Sequence, residues 1–447
     1  MIFNSKLYEN KNIVIFLENK TEQNPDQVSE QLIALMNLLK SRAPGGLLTA
    51  FRSPQVIFGF TALNRIKNYL DGNLEEGEKR VLIITDDFTE KFAKPISNVF
   101  SKINIDSKVW SGVKPEAPID TIDEAVKICE DFKPRVFVAI GGGSVLDTTK
   151  VLMIKYEKPE TNLFRVSALE PLGLRKKVKY FVAIPTTSGT GSEATLASML
   201  TDINTDPPKK FTVSHPELIP DYAVLITEFV QDMPPFLTMA TGLDALAHAA
   251  GSYISNIGTP FADAMNTYAI KEIIKYLPRA YKYGVKDIEA RSHMQIAATM
   301  AGLGFIHSRV GIDHALGHSL GKVLNVHHGL CVGMFLPYTI AFQMKISERW
   351  KDLCPLFGID TKNKNNNELS IEFLRSVKEF IHSIDGPICV KEIKKPVITE
   401  EEYYKNLDLL VKYAETDPVA YMVTRYIDSE VIKRIFEYAW DGKTIDF

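Results

Sequence analysis

The stretch Arg135–Lys150, RVFVAIGGGSVLDTTK, decides the fold class. Its first six residues are almost wholly apolar, as suits a strand buried on both faces of a parallel sheet. Gly141, Gly142 and Gly143 follow, and a helix is expected to open near Val145. Tyr180–Glu193, YFVAIPTTSGTGSE, repeats the arrangement: an apolar strand, then a loop of Thr, Ser and Gly. Upstream, RVLIITDD (Arg80–Asp87) and SKVWSGV (Ser107–Val113) read as strands. Helical periodicity runs on from the first through Phe100, and again over Ile119–Asp131. Strands alternating with helices of this length predict βαβ units and a mostly parallel, Rossmann-like sheet. Ligands of such sheets bind beyond the carboxyl ends of the strands, where these loops lie.

A glycine run at the start of a helix lets a phosphate approach free backbone N–H groups and the positive end of the helix dipole. The run here is not G-x-G-x-x-G, and Ser144 with Asp147 also fits a plain capping box. That reading leaves the three glycines unexplained. Two such loops at neighbouring strand ends are a better sign of a diphosphate-bearing cofactor than either alone. Asp86 and Asp87 close an earlier strand; an acid there can accept hydrogen bonds from a ribose, and a solvated turn acid fits the position equally well.

With 447 residues the chain is long enough for more than one core. SPQVIFGF (Ser53–Phe60) adds a strand and Leu63–Leu70 a helix. Before them come a strand at Asn12–Leu17, a helix at Pro25–Ser41 and an APGG turn. After DMPPF (Asp232–Phe236) the pattern turns helical, from Thr238 to about Gln343 and again to Trp440, with KNKNNN (Lys362–Asn367) as a polar loop. The expected organisation is an α/β domain over 1–229, its first 50 residues an extension of unassigned role, and an all-helical domain over 230–447. A net charge of −3 gives no reason to expect nucleic acid or an acidic membrane surface as partner. No run approaches the ~20 apolar residues of a membrane span. The 4 cysteines are scattered without a C-x-x-C pair, as in a reducing, cytoplasmic setting.

The chemistry concentrates in His307–Gly329, HSRVGIDHALGHSLGKVLNVHHG, which holds five of the chain's 9 histidines. His314 and His318 are four apart, so a helix projects both from one face. In GLDALAHAAG, Asp244 and His248 repeat that spacing, and His327 and His328 stand together before Gly329. The flanks of both pairs are Ala, Leu and Ile. Several ring nitrogens and a carboxylate in apolar helices are hard to satisfy without an ion, so a metal site is expected where the two segments meet. No cysteine joins them, which argues against structural zinc and leaves an N/O shell for Fe(II), Zn(II) or a similar ion. Such a shell also suits a non-haem oxygenase; the cofactor-like α/β half in front of it argues otherwise.

GGGSVLD, PTTSGTGSE, the passage from Pro234 to GLDALAHA, and HALGHSLG with HHG come in one order that resembles the iron-containing alcohol dehydrogenase family. The resemblance runs from about Ser53 to near the C-terminus and leaves out the first ~50 residues. It implies a Rossmann-like domain followed by a helical one. It implies Asp244, His248, His314 and His328 as metal ligands, and His318 as a catalytic histidine near the nicotinamide; His307 and His327 are then bystanders. On the cofactor side it implies Gly142, Gly143, Ser144 and Asp147 in one loop, Thr186, Thr187 and Thr190 in the other, and Lys210. Asp86 falls where an acid favours NAD over NADP. The chain departs from the family pattern at Glu116, Gly251, Asp313 and Lys322, positions that bear on substrate and cofactor preference rather than on the ligands.

The implied activity is hydride transfer between a small alcohol or aldehyde and NAD, with NADP the lesser choice. Fe(2+), or Zn(2+), acts as a Lewis acid on the substrate oxygen, in a homodimer or higher homo-oligomer. Competing expectations are a dehydroquinate-synthase-like lyase, a glycerol or polyol dehydrogenase, and a non-catalytic metal- or nucleotide-binding protein.

Overall fold

The computed structural model describes residues 51–168, 170–205, 209–255 and 257–447. The strand and helix expected before residue 50 lie outside them. The first half contains β1 (Gln55–Phe58), α1 (Ala62–Asn73), β2 (Arg80–Asp86), α2 (Ala93–Ser101), β3 (Asp106–Val113) and α3 (Ile122–Phe132). β4 (Val136–Gly141), α4 (Gly143–Glu157), β5 (Tyr180–Pro185), β6 (Ala197–Asp202), β7 (Lys209–Ser214) and β8 (Tyr222–Leu225) complete it.

Six strands form one sheet in the order β1-β8-β5-β4-β2-β3, and every pairing is parallel. The expected parallel sheet is therefore present, for the expected reason. Leu82, Ile84, Phe137 and Ala139 pack on one face, while Val81, Ile83, Val136 and Val138 pack on the other. Apolar residues at every position leave a strand such as β4 no face for water. β6 and β7 make a separate antiparallel pair that the apolar pattern of the chain does not announce.

The second half is helical: α5 (Pro235–Ile254), α6 (Pro260–Tyr283), α7 (Ile288–Ile306), α8 (Ile312–Leu324), α9 (His328–Gln343), α10 (Asn366–His382), α11 (Glu400–Lys405), α12 (Leu407–Glu415) and α13 (Ser429–Asp441). Pro235 stands at the first position of α5, where its missing N–H costs nothing. From Thr238 onward every residue of α5 is buried, so it is the central helix of this half. Leu243, Leu246, Ile270, Leu316, Phe335 and Phe436 share one core around it. The polar loop expected over Lys362–Asn367 is shorter than that: Asn366 and Asn367 open α10, because Asn365 and Glu368 form its capping box.

The halves meet at the strand ends. Gln295 of α7 donates to the Pro185 carbonyl at 3.3 Å, and the Thr299 hydroxyl donates to Glu193 at 2.6 Å. The separate cores support our proposed division near residue 230.

Candidate metal centre

Three helices bring the metal-binding types together, and glycines set how closely. A Cβ on Gly329, in the first turn of α9, would overlap the Ala240 carbonyl and stand 3.1 Å from the Asp244 Cβ. Gly329 therefore lets α9 lie against α5 so that His328 reaches Asp244. Asn325, left-handed at φ 52°, ends α8, and α9 starts three residues later. This reversal carries His328 back over α8, where its ring stacks on His318 with centroids 5.1 Å apart.

One ligand atom from each of Asp244, His314 and His328 fits within 4.8 Å of the others. Oδ1 of Asp244 lies 3.4 Å from His328 Nε2 and 3.9 Å from His314 Nε2. His248 stands alongside: its Nε2 is 3.6 Å from the same oxygen, and its ring stacks between His314 at 4.7 Å and Phe305 at 4.3 Å. All four residues expected from the family pattern are thus brought together, three of them in the tight group and His248 packed against it. Burial would raise the Asp244 carboxyl, but the imidazoles of His248, His328 and His314 hold it well below the usual carboxylate range. Burial pushes His248 down to about 4 and His314 well below its ordinary value, so both rings are neutral and able to donate a lone pair.

Asp244 Oδ1, His314 Nε2 and His248 Nδ1 are buried without hydrogen-bond partners. Leaving each unsatisfied costs about 1–3 kcal/mol. A divalent cation satisfies carboxylate and imidazole donors of this kind, so the residues fit the implied metal. The tautomer of His314 is also set. Its Nδ1–H donates to Asp313 Oδ2 at 2.6 Å, which turns the Nε2 lone pair toward Asp244. Asp313 is fully buried, and burial pushes its carboxyl up to about 7.

His318 is outside the tight group. Its Nδ1–H donates to Asp417 Oδ2 at 2.7 Å, leaving Nε2 as the basic atom, and the side chain lines a cavity of about 1320 Å³ together with His327, His328 and Lys210. Burial opposes ionisation of Asp417, but the hydrogen bond from His318 holds its carboxyl below the usual range. Nothing in the sequence pairs these two residues. Asp417 lies 99 positions away, and its only local mark is a preceding-proline cap, its side chain accepting from Val419 N–H at 3.0 Å. His307 uses both nitrogens elsewhere, accepting from Arg52 N–H at 2.9 Å and donating to the Leu303 carbonyl at 2.8 Å. His327 meets Phe236 edge-on at 5.5 Å and is not in the metal group.

The glycine loop has a structural job as well as a cofactor-like shape. A Cβ on Gly142 would stand 3.2 Å from Thr187, and one on Gly143 3.0 Å from Thr190, so the glycines let the two loops touch. The capping box read at Ser144 does not form: the cap is Gly142, with no side chain to cover the first turn of α4. Its open N–H groups, and the buried Ser188 hydroxyl without a partner in the second loop, fit a phosphate-bearing cofactor. Asp147 accepts from the Ser192 hydroxyl at 2.6 Å and Met199 N–H at 2.8 Å, tying the loops together through both oxygens. Beneath it lies Lys150, fully buried, donating to the Ser192 carbonyl at 2.9 Å and the Thr195 hydroxyl at 3.1 Å. Thr186 N–H donates to the Gly141 carbonyl at 3.0 Å.

Asp86 Oδ1 accepts from Phe88 N–H at 2.9 Å and Thr89 N–H at 2.8 Å, so only Oδ2 is left for another ligand. Lys210 pairs with Glu116. The second loop also reaches the metal centre: a Cβ on Gly189 would stand 2.5 Å from Thr241 Cβ, one turn before Asp244 on α5.

The chain matches two family descriptions in sequence, "Iron-containing alcohol dehydrogenase" over residues 53–227 and "Fe-containing alcohol dehydrogenase family, C-terminal" over 238–440. It is 31% identical over 398 residues to an NADPH-dependent butanol dehydrogenase of Clostridium saccharobutylicum, spanning 88% of this chain and 98% of the relative. Among solved structures, an alcohol dehydrogenase from Oenococcus oeni superposes with a TM-score of 0.79 at 26% identity, covering 88% of this chain and 100% of the other. An iron-containing alcohol dehydrogenase from Thermococcus thioreducens gives 0.77 at 29%, again over 88% and 100%.

Proposed function

The chain belongs to the iron-containing alcohol dehydrogenase family, and from that premise we propose that it interconverts a small alcohol and its aldehyde at the Asp244, His248, His314 and His328 site. The observation that carries the reading is the pair of buried, unpartnered atoms Asp244 Oδ1 and His314 Nε2 beside His328, which lines the same cavity as His318. A divalent ion, Fe(II) with Zn(II) as substitute, would supply a Lewis acid for the substrate oxygen, and a nicotinamide cofactor the hydride.

The protein's own residues do the rest. Asp313 holds His314 in the coordinating tautomer. Asp417 holds His318 with Nε2 facing the cavity, where it takes or returns the hydroxyl proton. Lining residues Phe236, Met239 and Leu330 favour a substrate with an apolar body. The bare N-terminus of α4 and the Thr186–Thr190 loop would seat the diphosphate, with Ser144, Thr187 and Lys210 at its edges. The free Oδ2 of Asp86 supports NAD over NADP; the similar butanol dehydrogenase uses NADPH, so this preference is to be measured. Four buried, free cysteines support a cytoplasmic enzyme. Among the described residues no helix is long and apolar enough to cross a membrane. A homo-oligomer remains the expected assembly.

The test is a panel of C2–C6 alcohols, diols and aldehydes, run on protein loaded with Fe(II) or Zn(II) and with either nicotinamide. A nicotinamide absorbance change that follows the loaded metal supports the reading. Silence across the whole panel would overturn it.

A further inference from the structure

One turn beyond His318 on α8 stands Lys322, and both line the cavity in front of the candidate centre. Residues four apart on a helix have Cβ atoms about 5–6 Å from each other. Lys322 is partly buried, flanked on the helix by Leu320, Gly321, Val323 and Leu324. Its ammonium lies 3.8 Å from the centroid of the Tyr413 ring. Among the described residues no carboxylate pairs with it.

The acids of the same wall are engaged elsewhere. Glu116 pairs with Lys210, Asp385 accepts from the Tyr281 hydroxyl at 2.5 Å, and Glu392 accepts from Ile388 N–H at 2.9 Å. A last-turn lysine does complement the carboxyl end of its helix, and an aromatic ring does hold a cation. Neither role draws on the ammonium's N–H donors or needs it to face a cavity. A partly desolvated cation beside a catalytic histidine is stabilised most by an anion that arrives with the substrate.

We propose that Lys322 recognises an anionic tail on the substrate, and that the preferred substrate is a short aldehyde or alcohol bearing a carboxylate at its far end. Residues four apart lie on one face of the helix and both line the cavity, so one short ω-oxo acid or ω-hydroxy acid can meet both side chains. The proposal rests on the oxidoreductase reading above: hydride passes from the reduced nicotinamide to the carbonyl carbon, a proton goes to its oxygen, and the carboxylate is unchanged.

The experiment compares 4-oxobutanoate with butanal, its neutral counterpart, on metal-loaded full-length protein and on its Lys322→Gln variant. We expect kcat/KM to favour 4-oxobutanoate at least about tenfold in the unaltered protein. In the variant that ratio should fall about tenfold to hundredfold, the worth of a charge-assisted hydrogen bond, with the loss in KM. A ratio at or below unity before substitution, or one that Lys322→Gln leaves unmoved, overturns the proposal. If neither aldehyde is reduced with NADH or NADPH, the oxidoreductase reading is what fails. Calorimetric titration with 4-hydroxybutanoate then decides the subsite: saturable binding lost in Lys322→Gln supports it, and equal or absent binding in both proteins overturns it.

Discussion

Gly251 of α5 and Asp313 of α8 share one space: a Cβ on Gly251 would stand 2.6 Å from Asp313 Oδ1. The missing side chain on one helix makes room for the carboxylate of the other, and that carboxylate fixes the ring of His314. Two departures from the family pattern are thus one structural arrangement. Gly251→Ala should displace Asp313 and weaken metal binding about tenfold to hundredfold, the usual effect of disturbing a ligand's hydrogen-bonded partner. Competition with a chelator measures this directly; unchanged affinity would show that Asp313 does not position the ligand.

Metal content separates ligands from bystanders. Asp244→Ala and His314→Ala should lose stoichiometric metal, and His248→Ala should bind it more weakly. His327→Ala should keep full occupancy, because that ring lies outside the group whose atoms converge. Elemental analysis after dialysis against buffer reads all four.

Asp417 is a positioning residue for His318. Asp417→Asn keeps the cap on Val419 but lets the His318 ring take the other tautomer. We expect kcat to fall about 10–100-fold, less than the 10²–10⁴-fold typical of removing the acid–base group itself as in His318→Ala. Metal content and the KM for nicotinamide should hold, and Asp417→Glu should recover part of kcat. A loss confined to KM would refute the assignment.

Asp86 should repel the 2′-phosphate of NADPH. Asp86→Ser is expected to move the NADPH/NADH ratio of kcat/KM about tenfold toward NADPH, as removal of a like-charge contact does. Initial rates with both cofactors at one pH give the answer, and an unchanged ratio would leave Asp86 as a turn acid only.

Acid stability has a separate origin. Hydrogen bonding to Lys179 at 2.6 Å lowers the Glu78 carboxyl most; partial burial opposes this, and Arg135 at 2.9 Å adds to it, leaving the group at about 2 instead of 4.5. Because the folded value is the lower one, this stabilisation is complete above about pH 4.5 and disappears as pH falls toward 2. Glu78→Gln should cost about 1–2 kcal/mol at pH 7 after solvent screening, and the difference should close progressively below pH 4.5. Denaturant titrations of both proteins at pH 7, 4 and 3 test the trend.

By itself the sequence determined the kind of fold and the kinds of chemistry. Apolar runs such as Val136–Ile140 can be buried only with both faces covered, and His314, His318, Asp244 and His248 declare shared helix faces through a spacing of four. These are local consequences of backbone periodicity, so they are legible without a structure. The short strand β8, the β6–β7 pair and the role of Asp147 in tying two loops were not legible, because each depends on a neighbour distant in the chain. Only the tertiary structure decided which imidazoles converge. The side chains that Gly251 and Gly329 lack set the approach of α5, α8 and α9, and a glycine's spelling does not say which neighbour it admits. The pairing of His318 with Asp417 lies beyond any local pattern, since packing alone joins residues 99 positions apart.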